Sequence, residues 1–381
     1  MQVEQRKWSP SAGWKPGPPG RLGTSAQLVF LFGSTAIMRE KRELAAIAAA
    51  YPGARLLGCS TAGEICCTQF GNDTLVLTAV SFERTGVQCA KTRLERMEDS
   101  FSAGWQLAQS LPAADLAHVF VLSDGLKING SELVKGLTAR LPAHVSVTGG
   151  LAADGARFSE TYVLLDGEPE KDAVAVLGLY GSALKVGCAS FGGWDPFGPE
   201  RLITRSDGNV LYELDGKSAL GLYKKYLGEH AQGLPSTGLL FPLSLRIGES
   251  ERGVVRTILS VSETDQSLTF AGDVPEGAYA RLMMANFDRL IDGAATAAAS
   301  SLAMIGSPPE LAILISCVGR KLILQQRVEE EIESVRDILG GQAVLAGFYS
   351  YGEISPFAGG APSELHNQTM TITAFSEDDR G

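Results

Sequence analysis

Short apolar runs alternate with helical patterns along most of the chain. Residues 28–32 form a β-type run, 39–51 carry helical periodicity and many alanines, and 54–59 are again strand-like. That last run ends in the small-residue turn Ser60-Thr61-Ala62-Gly63. Residues 74–82 alternate as a half-buried strand, with 87–93 expected to pair beside it. Helix is predicted over 100–111 and 131–141, the second capped by Asn129 or Ser131. Further strands fall at 118–122, 145–148, 161–165 and 173–180. In the second half, 217–227 and 279–302 read as helices, 254–262 and 268–271 as a strand pair, and 310–317 as a buried strand. Residues 325–339 read as an amphipathic helix whose Glu329, Glu330, Glu331 and Glu333 mark a solvated face.

One pattern occurs twice. Gly58-Cys59-Ser60-Thr61-Ala62-Gly63-Glu64-Ile65, followed by Asn72-Asp73-Thr74, is echoed by Gly347-Phe348-Tyr349-Ser350-Tyr351-Gly352-Glu353-Ile354, followed by Asn367-Gln368-Thr369. Each copy follows a buried strand and a helix, and a weaker third copy spans 145–155 and 161–165. The fold class expected is α/β: two related lobes with mixed sheets built from an internal duplication, and a site between them. The lobes are placed at 25–200 and 201–381, behind an extended arm, 1–24, anchored by Trp8 and Trp14. The repeated glycines either let backbone approach a ligand or only make tight turns.

Composition narrows the function. With 381 residues, 45% hydrophobic and 20% charged, the chain is globular. A net charge of −10 without a basic run excludes nucleic acid and anionic membrane as partners. Residues 1–20 lack a signal-peptide core, and the apolar stretch 294–305 is interrupted by Thr296, Ser300 and Ser301, so a cytoplasmic protein is expected. Six cysteines, with no C-x-x-C spacing, form no disulfide framework.

Phosphate-loop, dinucleotide, zincin and nucleophile-elbow motifs are absent. Cys59 enters a glycine-flanked turn and Cys317 precedes Arg320, which would lower a thiol pKa; the alternative is that both are small buried hydrophobes. His118, His144, His230 and His366 are too scattered for zinc, and His366 lies nearest the repeated turn. A single axial ligand needs one histidine, so a non-covalent haem is compatible with the sequence. Arg320 and Arg157 stand in polar turns, each suited to a carboxylate or to a structural ion pair.

Taken together, residues 58–65, 148–155, 316–320, 347–354 and 365–370 resemble the FIST sensory family, with its N-terminal and C-terminal domains; the resemblance runs from about 26 to 375. It implies a non-catalytic, ligand-sensing module of bacterial signal transduction that acts on a separate partner, a histidine kinase or a cyclic-dinucleotide signalling protein. It also implies a small ligand: haem with nitric oxide, as in one branch of the family, or an amino-acid-like metabolite. A thiol-dependent hydrolase or amidotransferase is the rival from another class. The expected ligand-binding residues are Cys59, Ser60, Thr61, Gly63, Glu64, Arg320, Tyr349, Ser350, Tyr351 and Glu353, with His366 as metal ligand. Tyr349, Tyr351, Glu353, His366 and Arg320 are expected to line one cavity, Arg320 facing an anionic group.

Overall fold

The structure is a computed structural model in which residues 1–248, 253–357 and 359–378 are described. It is mixed α/β, as the alternation of runs predicts. The duplication is present, and the weaker third copy is built to the same plan. Three six-stranded sheets result. At the centre of each lies a parallel pair: Leu28–Ser34 with Arg55–Thr61, Leu116–Ser123 with Ser146–Leu151, and Leu311–Cys317 with Val344–Ser350. The first strand of each pair is flanked by an antiparallel strand, respectively Leu75–Ser81, Ala173–Tyr180 and Met370–Glu377.

The second strand of each pair takes its outer neighbour from another copy. Glu64–Cys66, which follows the first pair, joins the third sheet beside Val344–Ser350. Gly352–Pro356, which follows the third pair, joins the second sheet beside Ser146–Leu151. Val163–Leu165, which follows the second pair, joins the first sheet beside Arg55–Thr61. The exchange is cyclic, and every sheet is completed by a segment of its neighbour.

Glycine makes the parallel pairs possible at one repeated point. A Cβ on Gly58 would lie 2.1 Å from the Leu31 carbonyl oxygen, on Gly149 1.8 Å from that of Val121, and on Gly347 1.8 Å from that of Leu314. These are the register partners across each pair. Only glycine fits so close a backbone approach.

The inner faces of the three sheets meet in one apolar core. Phe30 and Phe32 of the first sheet pack on Phe120 of the second and Phe348 of the third, with ring centroids 5.4 and 4.7 Å apart. Helices cover the outer faces. Thr35–Glu40 and Leu44–Ala50 lie on the first sheet, Ser100–Gln109 and Gly130–Thr138 on the second, and Phe287–Ile305 and Val328–Leu339 on the third. Asn129 caps its helix, accepting from Glu132 N at 3.1 Å. A smaller subdomain with its own core, around Leu211, Tyr223, Leu268 and Phe270, is inserted between Leu184–Phe191 and Phe287–Ile305.

The N-terminal arm is extended, as Gln2–Ser9, an antiparallel partner of Leu75–Ser81, and Gly13–Lys15, with Trp8 and Trp14 packed against the core. Three expectations need correction. Gly86–Arg93 does not pair beside 74–82; the chain leaves the first sheet there, and the strand pairs with Ala173–Tyr180 in the second. The helix expected over 279–302 is a strand, Tyr279–Met284, then a helix starting only at Phe287, where Asn286 accepts from Arg289 N. Glu331 is not solvated; it is fully buried. Among the described residues no helix is long and apolar enough to cross a membrane.

Candidate functional site

At the C-terminal ends of the parallel pairs the inner core changes character. Inward positions that hold Phe32, Leu122 and Ile315 one step earlier are followed, two residues on, by Ser34, Asp124 and Cys317. Their backbone N–H groups donate to the carbonyls of Thr74, Ala173 and Thr369, so the three positions are structurally equivalent. A polar layer therefore closes this end of the apolar core.

Two copies of that layer share one network. Glu64 accepts from Thr61 Oγ1 at 2.5 Å, Thr74 N at 3.1 Å and Thr74 Oγ1 at 2.6 Å. Glu353 accepts from Ser350 Oγ at 2.6 Å, Thr369 N at 3.2 Å and Thr369 Oγ1 at 3.0 Å. Each glutamate rides on an exchanged strand and bonds back to the copy it came from. Burial raises both carboxyls, from 4.5 to about 7 for Glu64 and about 8 for Glu353; the hydroxyl and N–H donors offset this only in part. In the second copy Val163 stands in place of the glutamate, and Thr161 Oγ1 donates to Asp124 at 2.5 Å.

The two Gly-Glu-Ile turns do come together, through backbone: Ala62 N donates to Tyr349 O and Tyr349 N to Gly63 O, each at 2.8 Å. Ser60 Oγ accepts from Tyr162 N at 2.9 Å. Over the second copy's end runs the loop 154–161. Asp154 accepts from the backbone N–H groups of Phe158, Ser159 and Glu160 and from Tyr351 OH. Burial would raise the Asp154 carboxyl, but the Tyr351 and backbone donors outweigh it and hold it below its ordinary range. Phe158 stacks on Tyr351 with centroids 4.5 Å apart. Beside the first turn, Lys321 Nζ donates to Ala62 O at 2.5 Å and Asn72 Oδ1 at 2.7 Å.

Arg320 does not face a ligand. Its guanidinium is fully buried, contacts Glu331 Oε2 at 2.8 and 3.1 Å, and donates to the carbonyls of Gly192 and Leu290 at 2.5 and 2.6 Å. Tyr349 OH and Ser316 Oγ donate to the other oxygen of Glu331 at 2.6 and 3.1 Å. The five residues expected to line one cavity thus separate. Tyr349 and Arg320 belong to the Glu331 cluster, Tyr351 to Asp154, Glu353 to Ser350 and Thr369, and His366 to the carbonyl of Ser355 at 2.9 Å.

Cys59 and Cys317 are not poised for attack. Cys59 lies in the aromatic core, and burial pushes it and Cys317 well up, so Arg320 fails to activate Cys317. His366 does not fit haem. The residue is 3% exposed, its Nε2 is engaged with the Ser355 carbonyl at 2.9 Å and Phe357 packs beside the ring, so no open face is left where a macrocycle could lie. Among the described residues no three His, Cys, Asp or Glu gather as a metal site.

Ser34 Oγ in the layer, and Thr35 Oγ1 and Ser123 Oγ next to it along the chain, are buried without a protein partner. Sequence reasoning missed these, along with Asp124, Asp154 and Glu331. Glu331 had a signal, since it sits at the spacing of Val328, Ile332, Val335 and Leu339, the buried stripe of its helix. Thr74 and Thr369 stand at matching places in the echoed Asn-x-Thr segments.

Among known proteins, an uncharacterized protein of Mycobacterium tuberculosis is 25% identical over 266 residues, 67% of each chain. One of Methanocaldococcus jannaschii is 25% identical over 259 residues, 62% of this chain and 49% of its own. A crystal structure of a cyanuric acid hydrolase from A. caulinodans aligns over 99% of both chains at 7% identity, with a TM-score of 0.36. The model of the FIST N domain matches residues 27–217 and that of the FIST C domain residues 219–356, meeting inside the inserted subdomain. Their span takes in both Gly-Glu-Ile turns and all three parallel pairs, and the chain belongs to the FIST family.

Proposed function

We propose that this protein senses a small, polar, amino-acid-like molecule at the layer closing the three-sheet core, and passes the change to a separate signalling protein. The observation that carries the reading is the unpaired buried hydroxyl of Ser34, in a layer whose carboxylates all have donors, with the unpaired hydroxyls of Thr35 and Ser123 next to that layer along the chain. Buried polar groups without partners are costly, and a ligand that supplies them recovers that cost. Glu64, beside Ser34 through Thr74, suits an ammonium group; Arg320, engaged with Glu331, is not available to a carboxylate. The family supports a sensing role. Haem is not carried forward, because His366 does not fit it, and neither is thiol chemistry at Cys59 or Cys317.

Binding at this layer requires the loop 154–161 to move, since Thr61, Asp124 and Asp154 are at most 3% exposed. A partner that reads this loop, whether a histidine kinase or a cyclic-dinucleotide enzyme, would register occupancy. The test is calorimetric titration of the whole chain with the twenty amino acids and their simple amines. A ligand should bind, and Ser34→Ala should weaken it by about tenfold, the scale of one hydrogen bond to a charged group. Unchanged affinity in that variant, or no binding across the panel, overturns the reading.

A further inference from the structure

Away from the polar layer, the segment that carries Glu64 into the third sheet turns through two adjacent cysteines. Cys66 ends the strand Glu64–Cys66 and is half-buried, whereas Cys67 is exposed in the turn at φ +58°. The two side chains are hydrogen-bonded to each other. Cys67 Sγ donates to Gln5 Oε1 at 3.2 Å, and its backbone N–H donates to Leu345 O at 3.0 Å. Arg336 of the helix Val328–Leu339 and Lys7 of the first sheet contribute favourable charge at Cys67.

This setting differs from that of the other thiols. The bond from Cys66, with help from Arg336 and Lys7, brings Cys67 down to about 6 despite partial burial. Cys66 itself is pushed up, chiefly by the same bond. Cys59, Cys188 and Cys317 are buried, and burial pushes half-buried Cys89 up to about 12. Accessibility, cationic neighbours and an adjacent second thiol are the features of oxidant-reactive cysteines.

We infer that Cys66 and Cys67 form a dithiol site that takes hydroperoxides and closes into a disulfide between adjacent residues. The Cys67 thiolate attacks the peroxide, forming an S–O bond as the O–O bond breaks. The alcohol or water that leaves takes a proton from solvent, the sulfur having lost two electrons to the peroxide. Cys66, its proton released, attacks the Cys67 sulfur; the S–S bond forms, the S–O bond breaks, and the departing hydroxide becomes water with that proton. Cα atoms of neighbouring residues lie about 3.8 Å apart, below the usual disulfide range, so the bridge is strained and a dithiol reductant reopens it readily. This chemistry lies outside the ligand-binding layer and does not depend on the ligand reading.

The test treats the purified full-length chain with hydrogen peroxide, alkylates the remaining thiols, and follows the peptide holding residues 66 and 67 by mass spectrometry. Cys66 and Cys67 should be lost to alkylation together, about tenfold faster than Cys89, and dithiothreitol should restore both. In Cys67→Ser the fast reaction should vanish; in Cys66→Ser it should stop at a sulfenic acid that dimedone traps on Cys67. The proposal is overturned if Cys67 reacts no faster than Cys89. It is equally overturned if the fast product joins two chains or is a sulfinic acid.

Discussion

The first and third copies of the repeat close their ends with a buried glutamate, and the second closes with a valine and a longer loop. Glu64 and Glu353 each bind two hydroxyls and one backbone N–H, whereas the side chain of Val163 has no polar atom and the work passes to Asp154 and Asp124. The comparison separates what the architecture requires from what has been varied. All three copies keep the glycine at the parallel crossing and a left-handed residue, Asp73, Asp172 or Gln368, before the following strand. The carboxylate is dispensable to that plan. Where it is missing, a segment long enough to move lies over the layer, which is where a sensing role would place its variation.

The largest effect should come from a feature that only the third copy has. Arg320→Ala leaves Glu331 as an uncompensated buried charge and should cost about 3–5 kcal/mol, read by urea denaturation. The paired change Arg320→Met with Glu331→Leu should recover most of it, which would mark the cluster as structural. Next come the shared glycines. Alanine at Gly58, Gly149 or Gly347 forces a Cβ into a carbonyl oxygen and should cost about 1–3 kcal/mol or more in each copy. If Gly149→Ala alone is mild, the second copy is not equivalent to the others.

A smaller effect separates the glutamate copies from the valine copy through pH. Glu64 and Glu353 keep their protons in the folded state to about 7 and 8, while the unfolded chain releases them near 4.5. The folded state then binds more protons across that window, so stability is highest below 4.5 and falls as pH rises toward 8. Glu64→Val, which copies Val163, and Glu353→Gln should each flatten the fall in melting temperature between pH 5 and 8. The smallest effect belongs to Arg157, 60% exposed and 3.9 Å from Asp154. Arg157→Ala should shift the denaturation midpoint by no more than about 0.5 kcal/mol.

The repeat was legible because its glycines and its Asn-x-Thr segments are fixed by close backbone contact and by a buried carboxylate, both of which demand particular residues. The third copy was fainter because Val163 and the loop 154–161 erase the Gly-Glu-Ile signature while preserving the strands. Glu331 was misread because an acidic run invites a solvated reading, even though its spacing falls on the apolar stripe. The fate of Arg320 was not legible at all. Its partners come from residues 192, 290 and 331, brought together only by the packing of Phe287–Ile305 and Val328–Leu339 on the third sheet. The pairing of Gly86–Arg93 with the second sheet was hidden for a similar reason, since adjacency in sequence is the usual guide to adjacency in a sheet.

The cyclic exchange of strands has a consequence for how the chain is made. During synthesis from the N-terminus, the central strands of the second sheet leave the ribosome by residue 180, yet Ser146–Leu151 keeps an open hydrogen-bonding edge until Gly352–Pro356 emerges. The third sheet waits in the opposite sense, since Glu64–Cys66 exists long before the strand it must join. A nascent chain of this protein therefore carries an unpaired edge for about half of its length, the condition under which strands recruit the wrong partner. Separate expression of residues 1–200 would make that exposure permanent and should yield aggregates, whereas supplying 201–381 alongside it should restore soluble complex.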